Sequence, residues 1–234
     1  METSKILFRC SQLGKLMTEP RSKSETLSET TKEYCREVYI NQKYGRKKDI
    51  TNKYIQKGLM VEEDSLTLLS RYQHQFFVKN KERFVNEYIC GTPDIILDDC
   101  IPDIKSSWDI FTFFKSKMEP VNKDYYWQLQ GYMWLTGRKH AQLIYCLVNT
   151  PDILINDQKR KFMWNAGILD ENPITEEVFT EIERNCIFDD IPIEERIHIK
   201  NIEYHEEDIQ RLQQRIIQCR EYIMSTFNKK NNNP

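Results

Sequence analysis

Helical spacing of apolar residues marks both ends of the chain. Residues 11–17 and 28–44 carry apolar side chains three or four positions apart, and Ser28 is a typical residue at a helix start. Near the other end, the same spacing predicts one long amphipathic helix over residues 206–227, with these apolar positions: Ile209, Leu212, Ile216, Cys219 and Ile223. Such a stripe usually packs on the core, although it also permits a contact between subunits.

Short apolar runs in the middle of the chain predict β-strands. We expect strands at about residues 84–90, 94–97, 101–105, 141–148 and 196–200. Helices are predicted at about residues 57–74, 108–117, 176–185 and around Gln128, ending at Gly137. Residues 151–172 have the pattern of a strand and loop in which Trp164 packs on the core. This order of elements predicts a mixed α/β (α+β) fold with a central mixed sheet flanked by helices.

The length of 234 residues fits one domain, and no linker rich in Pro, Gly or Ser divides it. We expect a single domain over residues 1–228, with a basic helical part at 1–57, the C-terminal helix at 205–227 and a disordered tail at 229–234. Residues 1–60 hold 13 lysines and arginines against 7 acidic residues, whereas the net charge of the chain is −2. This basic quarter is either a DNA-facing surface or a solvated charge run.

The composition excludes several classes of protein. No run approaches the roughly 20 apolar residues of a membrane span, and the N-terminus lacks the pattern of a signal peptide. We therefore expect a cytoplasmic protein, in a bacterium or a phage-infected host, without a membrane partner. The seven cysteines are odd in number and widely spaced, which predicts neither a disulfide framework nor a Cys-xx-Cys metal site.

A short acidic motif lies in the middle of the chain. If Asp98-Asp99 forms a two-residue hairpin turn, Asp94 is directly opposite Asp103. Opposed side chains lie roughly 4.5–5.5 Å apart at Cβ, and Lys105 shares their face because side chains in a strand alternate. Two carboxylates this close repel each other unless a cation lies between them. The motif therefore predicts a site for a hard metal ion.

Two flanking helices add polar residues on apolar faces. Glu62 falls in a helical stripe with Leu59 and Leu66, and a carboxylate on such a face is costly unless it is paired or binds metal. Downstream, Gln128 and Tyr132 lie one helical turn apart on one face. Their alternative interpretation is a buried pair that satisfies backbone groups.

These motifs, in this order, resemble the PD-(D/E)xK nuclease superfamily. The matching elements are the Gly58-xxx-Glu62 spacing, Asp94 followed by Asp103-Ile104-Lys105, and the Gln128-xxx-Tyr132 spacing. The run over residues 125–132 is similar to phage recombination exonucleases of the lambda-exonuclease or YqaJ type. The resemblance implies a restriction-endonuclease-like core and a Mg²⁺-dependent nuclease.

The chemistry of the residues and the resemblance together predict a metal site and a catalytic set. Oxygen ligands suit Mg²⁺ or Mn²⁺. The metal ligands would be the side chains of Asp94, Asp103 and Glu62 and the backbone carbonyl of Ile104. Lys105 would orient or help to deprotonate the attacking water, and Gln128 and Tyr132 would hold Lys105 or a DNA phosphate. An iron–sulfur cluster, which some related nucleases carry, is expected to be absent because closely spaced cysteines are missing.

The resemblance and the chemistry of the residues also suggest which side chains contact DNA. The resemblance implies that Ser106, Ser107, Arg9 and Ser11 bind phosphate, the last two at a 5′ end. The basic run Arg46, Lys47 and Lys48 adds phosphate-binding charge. The resemblance implies that the protein binds the ends of double-stranded DNA.

The resemblance implies an exonuclease that degrades one strand of duplex ends, 5′ to 3′, in phage-type recombination or DNA processing. The alternatives are a structure-specific or flap endonuclease on the same core, and an inactive DNA-end-binding protein. A single-strand annealing protein is the implied partner, and the basic arm and last helix permit a ring-shaped trimer.

Overall fold

The computed structural model describes residues 6–48 and 52–227. Its strands are β1 (Phe8–Arg9), β2 (Phe84–Val85), β3 (Ile89–Gly91), β4 (Cys100–Ser106), β5 (His140–Cys146) and β6 (Ile197–Glu203). Its α-helices are α1 (Leu13–Leu16), α2 (Glu29–Tyr44), α3 (Lys53–Met60), α4 (Glu62–Tyr72), α5 (Ile110–Met118), α6 (Lys123–Thr136), α7 (Asp152–Ala166), α8 (Pro173–Arg184) and α9 (Glu206–Phe227). The tail at residues 229–234, predicted to be disordered, lies outside the described residues.

The strands form two small mixed sheets. In one sheet the order is β1-β3-β2, with β1 parallel and β2 antiparallel to β3. In the other the order is β4-β5-β6, with β4 parallel and β6 antiparallel to β5. Helices cover both, so the mixed α/β fold predicted from the sequence is confirmed. Pro102 lies in β4, at an edge of its sheet, where the missing N–H is tolerated.

The sheet β4-β5-β6 separates two apolar clusters, because successive residues of a strand point to opposite faces. Asp103 in β4 and Leu143 in β5 are paired and lie on the face that α6 covers. On the other face, Ile144 and Cys146 pack with Leu68 and Leu69 of α4. The larger cluster also contains apolar residues of α1, α2 and α9. The C-terminal helix therefore packs on the core, as its apolar stripe predicted.

Helix ends follow the local sequence signals. The Ser28 side chain accepts a hydrogen bond from the Thr31 N–H at the start of α2, and Gly45 ends that helix with a φ of 65°. Asn172 caps α8 in a reciprocal capping box, and Pro173 occupies its first turn. These helices lie close to where the sequence predicted them.

Three predicted elements were wrong in their bounds or type. The strand expected at residues 84–90 is two short antiparallel strands, β2 and β3. The single helix at 57–74 is divided at Val61, which has non-helical angles and is fully buried, so α3 and α4 run separately. Residues 151–172 contain α7 rather than a strand, because Asp152 favours a helix start and Gly167 supplies a left-handed end with a φ of 66°. Trp164 is 87% exposed on α7, so it does not pack on the core.

The predicted strand at residues 94–97 does not form. One backbone bond of the expected hairpin is present, from the Leu97 N–H to the Cys100 carbonyl at 2.9 Å. The Leu97 carbonyl instead accepts a bond from Arg138 Nε at 3.2 Å. Pro102 has no N–H to donate across the expected pair. The segment therefore runs beside β4 as a loop.

Within residues 6–48 and 52–227, every helix is too short or too polar to cross a membrane.

Candidate active site

The strand β4 carries two charged side chains on one face. Asp103 and Lys105 are two residues apart, and Lys105 Nζ lies 2.6 Å from Asp103 Oδ2. The Asp103 side chain is only 1% exposed. Within the described part of the chain, its Oδ2 accepts no hydrogen bond of normal geometry. A buried carboxylate oxygen with one cationic neighbour is therefore available to a further cation.

Asp94 reaches the same strand from the loop that precedes it. Its Oδ2 accepts a hydrogen bond from the Ile104 N–H at 3.2 Å. Asn80 fixes this loop, because its N–H donates to the Asp94 carbonyl at 2.8 Å and its Nδ2 donates to the Pro93 carbonyl at 3.0 Å. The hairpin register predicted for Asp94 is thus wrong, because the carboxylate is held by a side-chain bond to β4 and not by a ladder pair.

The electrostatics of the cluster follow from burial and proximity. Burial and the charge of Asp103 raise the pKa of Asp94, with the nearby Lys105 opposing them in part. Burial alone would lower the pKa of Lys105, but the carboxylates of Asp103 and Asp94 raise it overall. Lys105 is therefore an ammonium at neutral pH and carries a positive charge into the cluster.

Helix α6 orients the buried carboxylate. Gln128 Nε2 donates to Asp103 Oδ1 at 3.2 Å and to the Tyr132 hydroxyl at 3.1 Å. Burial, followed by the charge of Asp103, raises the pKa of Tyr132, so its hydroxyl stays neutral. The structure brings Gln128 and Tyr132 to the site as predicted, but Gln128 holds Asp103 where we had expected Lys105 or a phosphate. A missed neighbour is Tyr125, whose ring lies 4.9 Å from Lys105 Nζ.

Glu62 begins α4 and faces the same site from the opposite wall. Its carboxylate pairs with Lys79, a residue that the sequence did not single out. Its charge also contributes to the raised pKa of Asp94. The prediction that Glu62 lies in a core-facing stripe is wrong, because the helix break at Val61 separates it from Leu59, which is 71% exposed. Glu62 lines a cleft instead.

That cleft has a volume of about 370 Å³ and joins the charged residues to an apolar wall. Its lining includes Glu62, Asp94, Ile104, Lys105 and Ser106. The Ser106 hydroxyl is hydrogen-bonded to that of Ser65 at 2.8 Å. Ser107 does not line the cleft; it is buried, and its N–H donates to the Cys146 carbonyl at 2.8 Å. Of the two serines that follow Lys105, Ser106 is therefore the one in the cleft.

The oxygen atoms of this cluster fit a hard cation. Carboxylates and backbone carbonyls are the ligands that Mg²⁺ and Mn²⁺ prefer. Asp94 and Asp103 repel each other, and Asp103 Oδ2, which in the described residues pairs with Lys105 alone, can accept a second cation. In the described ranges, no three His, Cys, Asp or Glu side chains converge into one ligand set. The Ile104 carbonyl, and Glu62 once released from Lys79, would have to complete the coordination.

A second cavity of about 700 Å³ has Tyr132 in its lining, the residue whose hydroxyl is bonded to Gln128. It collects the predicted basic and hydroxyl residues Arg9, Ser11, Lys47 and Lys48, together with Arg83. Lys48 also pairs with Glu33 and Glu37 at 3.3 and 3.2 Å. Arg46, predicted to bind DNA, does not line this cavity, but its carbonyl accepts a bond from Asn41 at its edge.

Solved structures with the same architecture include two bacterial exonucleases. A phage-related exonuclease from Haemophilus somnus 129PT aligns over 95% of this chain and 95% of its own, with a TM-score of 0.73 and 28% identity. The likeness matches the resemblance to the phage-exonuclease branch of the PD-(D/E)xK superfamily that the motifs indicated. An alkaline exonuclease from Laribacter hongkongensis, also solved with dAMP, aligns over 94% of this chain and 88% of its own. Its TM-score is 0.62 and its identity 13%, which supports the fold alone.

No protein-family profile matches the chain, and no curated protein matches it. The resemblance to this branch therefore comes from the three-dimensional likeness and from the order of the motifs. Four of the predicted catalytic residues lie on β4 or form a hydrogen bond to it: Asp94, Asp103, Lys105 and Gln128.

Proposed function

We propose that this protein is a divalent-metal-dependent DNA exonuclease that hydrolyses phosphodiester bonds at duplex ends in the 5′ to 3′ direction. One observation carries the proposal: Asp94 and Lys105 line a cleft, with Asp103 buried against Lys105, in a chain that aligns along 95% of its length with a phage-related exonuclease. The carboxylates provide oxygen ligands, and the ammonium provides a positive charge at the point where a phosphate would enter.

Each residue of the site has a distinct role in this proposal. Asp94, Asp103, the Ile104 carbonyl and Glu62 would hold Mg²⁺ or Mn²⁺. When bound, such an ion lowers the pKa of a water molecule and neutralises phosphate charge. Lys105 lies beside these oxygens and stabilises the negative charge that develops on the phosphate in the transition state. Its ammonium also orients the attacking water by donating a hydrogen bond.

Gln128 and Tyr132 act through Asp103 in this mechanism. The Gln128 amide fixes one oxygen of Asp103 and so directs the other toward Lys105 and the cleft. The Tyr132 hydroxyl fixes Gln128 in turn, which makes the arrangement rigid before the substrate binds. Groups fixed in this way need little reorganisation during the reaction.

The proposed 5′ to 3′ polarity of digestion depends on the second cavity, of about 700 Å³. We assign it to a 5′-phosphate end, because Arg9, Ser11, Lys47 and Lys48 line it together with Arg83. Tyr132 lines this cavity and is hydrogen-bonded to Gln128, so a phosphate bound there would lie near the proposed catalytic residues. Ser106 in the cleft, together with Ser107 and Arg46 outside the two cavities, would complete the DNA-binding set.

The proposal also covers the location, the biological role and the assembly of the protein. The protein would act as one domain in the cytoplasm of a bacterium or phage-infected host, in phage-type recombination or DNA processing. A ring-shaped trimer around DNA and a single-strand annealing partner are its proposed assemblies. Solution mass measurements with and without DNA test the trimer.

Digestion of end-labelled DNA tests the activity. The substrates are linear duplexes with a 5′-phosphate or a 5′-hydroxyl, and nicked and closed circles, each with Mg²⁺ or EDTA. We expect Mg²⁺-dependent release of nucleotides from linear duplexes, faster from 5′-phosphate ends. Lys105→Ala should abolish it, whereas Lys115→Ala, a matched change at an exposed lysine, should not. Cleavage of closed circles would show an endonuclease instead, and binding without cleavage would show an inactive end-binding protein.

A further inference from the structure

A groove with an unusual combination of side chains lies beside the catalytic cleft. It has a volume of about 620 Å³ and is formed by the end of α4 and the segment that follows. Its distinctive residues are Arg71, His74, Phe76, Val78, Lys79 and Lys81. Phe76 is 85% exposed and Val78 is 68% exposed, so two apolar side chains stand among cations at the surface.

The exposure of Phe76 follows from how its segment is anchored. Phe77, between the two exposed residues, is only 3% exposed and packs in the apolar cluster under α4. Its N–H donates to the Ser70 hydroxyl at 3.4 Å. In an extended chain, alternate residues point to opposite sides, so burial of Phe77 turns Phe76 and Val78 outward. The buried Phe77 therefore anchors the backbone that carries Phe76 and turns its ring toward solvent.

The groove is continuous with the cleft. Glu63, Leu66 and Lys79 line both. Asn80 at the end of the exposed segment donates hydrogen bonds to the backbone carbonyls of Pro93 and Asp94. A chain lying in the groove would therefore lead directly to the carboxylate site.

The charges of the groove favour a polyanion. Arg71, Lys79 and Lys81 face one acidic residue of the lining, Glu63. Within the described part of the chain, Arg71 and Lys81 make no ion pair, whereas Lys79 is paired with Glu62. Cations that lack acidic partners beside an exposed aromatic ring are typical of surfaces that bind single strands, where bases stack and phosphates contact Lys or Arg.

We propose that this groove binds single-stranded DNA that enters or leaves the catalytic cleft. The proposal rests on the nuclease function assigned above. Phe76 stacks on an unpaired base, and Arg71 and Lys81 contact the flanking phosphates. An unpaired strand is the fitting occupant because the face of the Phe76 ring can stack only on a base that is free of its duplex neighbours.

Binding measured in EDTA tests the groove separately from hydrolysis. The probes are a fluorescein-labelled oligothymidine strand and a blunt duplex with blocked ends. We expect Phe76→Ala to weaken binding of the single strand by about 5- to 150-fold, the range for one base stacked on an aromatic residue. The double variant Arg71→Ala/Lys81→Ala should reduce the slope of log affinity against log salt by about 1.4, at about 0.7 for each lost contact.

A matched variant controls for general loss of charge and aromatic surface. Arg160→Ala/Trp164→Ala removes an exposed arginine and an exposed aromatic residue from α7, which lines neither the cleft nor the groove. Its affinity for the single strand should stay within about twofold of wild type. Phe76→Trp gives a second readout, because a stacked thymine should quench its added fluorescence.

The outcomes separate the two proposals. Unchanged affinity and salt slope in the groove variants, or equal losses for single strand and duplex, would overturn the single-strand groove. Thermal unfolding of each variant shows whether it is folded, and the absence of quenching in folded Phe76→Trp would also overturn it. If Lys105→Ala digests DNA like wild type while the groove results hold, the proposed function fails and the binding site stands.

Discussion

A buried lysine in α3, a helix that borders the cleft, makes the sharpest prediction about stability. Lys57 in α3 is 1% exposed, and its Nζ donates to the Trp108 carbonyl at 2.8 Å. It lies 5.4 Å from the Phe188 ring and so joins α3 to the segments after β4 and α8. Burial lowers the pKa of Lys57 from 10.5 to about 8, with Cys186 and Asp109 opposing the shift.

This shift determines how the free energy of unfolding depends on pH. Between pH 8 and 10.5 the unfolded chain holds a proton at Lys57 that the folded protein lacks, so this residue makes stability rise with pH. At about 1.36 kcal/mol per unit, the buried ammonium costs about 3 kcal/mol at pH 7. Between pH 7 and pH 9 the cost decreases by about 1.3 kcal/mol.

Lys57→Met removes the titration and keeps a side chain of similar length. It also leaves the Trp108 carbonyl without its donor, at a cost of about 1–3 kcal/mol, so the variant should be close to wild type at pH 7. Relative to wild type, it should lose about 1.3 kcal/mol between pH 7 and 9. Urea unfolding with EDTA and a reductant measures this difference, and contributions from other groups cancel in the comparison.

A control at an exposed lysine tests whether the pH dependence of the unfolding free energy results from burial of Lys57. Lys115→Met at an exposed position of α5 should keep a constant difference from wild type over the same pH range. If Lys57→Met also keeps a constant difference, Lys57 titrates normally in the folded protein. The argument that it is buried as an ammonium would then be wrong.

Three further changes test the candidate site. Gln128→Leu should reduce kcat on end-labelled duplex about 10- to 100-fold with little change in KM, because Asp103 loses its orienting donor. Asp94→Asn should stabilise the metal-free protein against urea at pH 7, by about 1.4 kcal/mol for each unit by which folding raises the Asp94 pKa. At pH 3.5 the same change should give no such stabilisation. Gly91→Ala should lower the Tm by several degrees in calorimetry, because its Cβ would lie 2.7 Å from Tyr132 Cε1.

The parts of the site predicted correctly depend on local periodicity. Asp103 and Lys105 share a face because they are two residues apart in a strand, and β4 forms as expected. Gln128 and Tyr132 share a face because they are four residues apart in a helix. Both spacings are properties of one element, so the sequence alone contains them.

The parts that failed depend on contacts between elements. A hairpin between Asp94 and Asp103 fits the turn residues, but Arg138, distant in sequence, takes the Leu97 carbonyl that the ladder would use. The helix break at Val61 follows from burial of that side chain in the cluster under α4, which no local pattern shows. Lys79 was missed for the same reason, because its pairing with Glu62 crosses between two segments.

The charge balance of the cleft connects the cation to the substrate. Three carboxylates, of Asp94, Asp103 and Glu62, face two ammonium groups, of Lys79 and Lys105, so the cluster carries one net negative charge when all are ionised. Such a site repels a phosphate, and Lys105 alone cannot reverse this because its charge is already engaged by Asp103. A divalent ion would change the balance from one negative to one positive charge. Metal binding and DNA binding are therefore expected to strengthen each other at this cleft, because each relieves the charge that opposes the other.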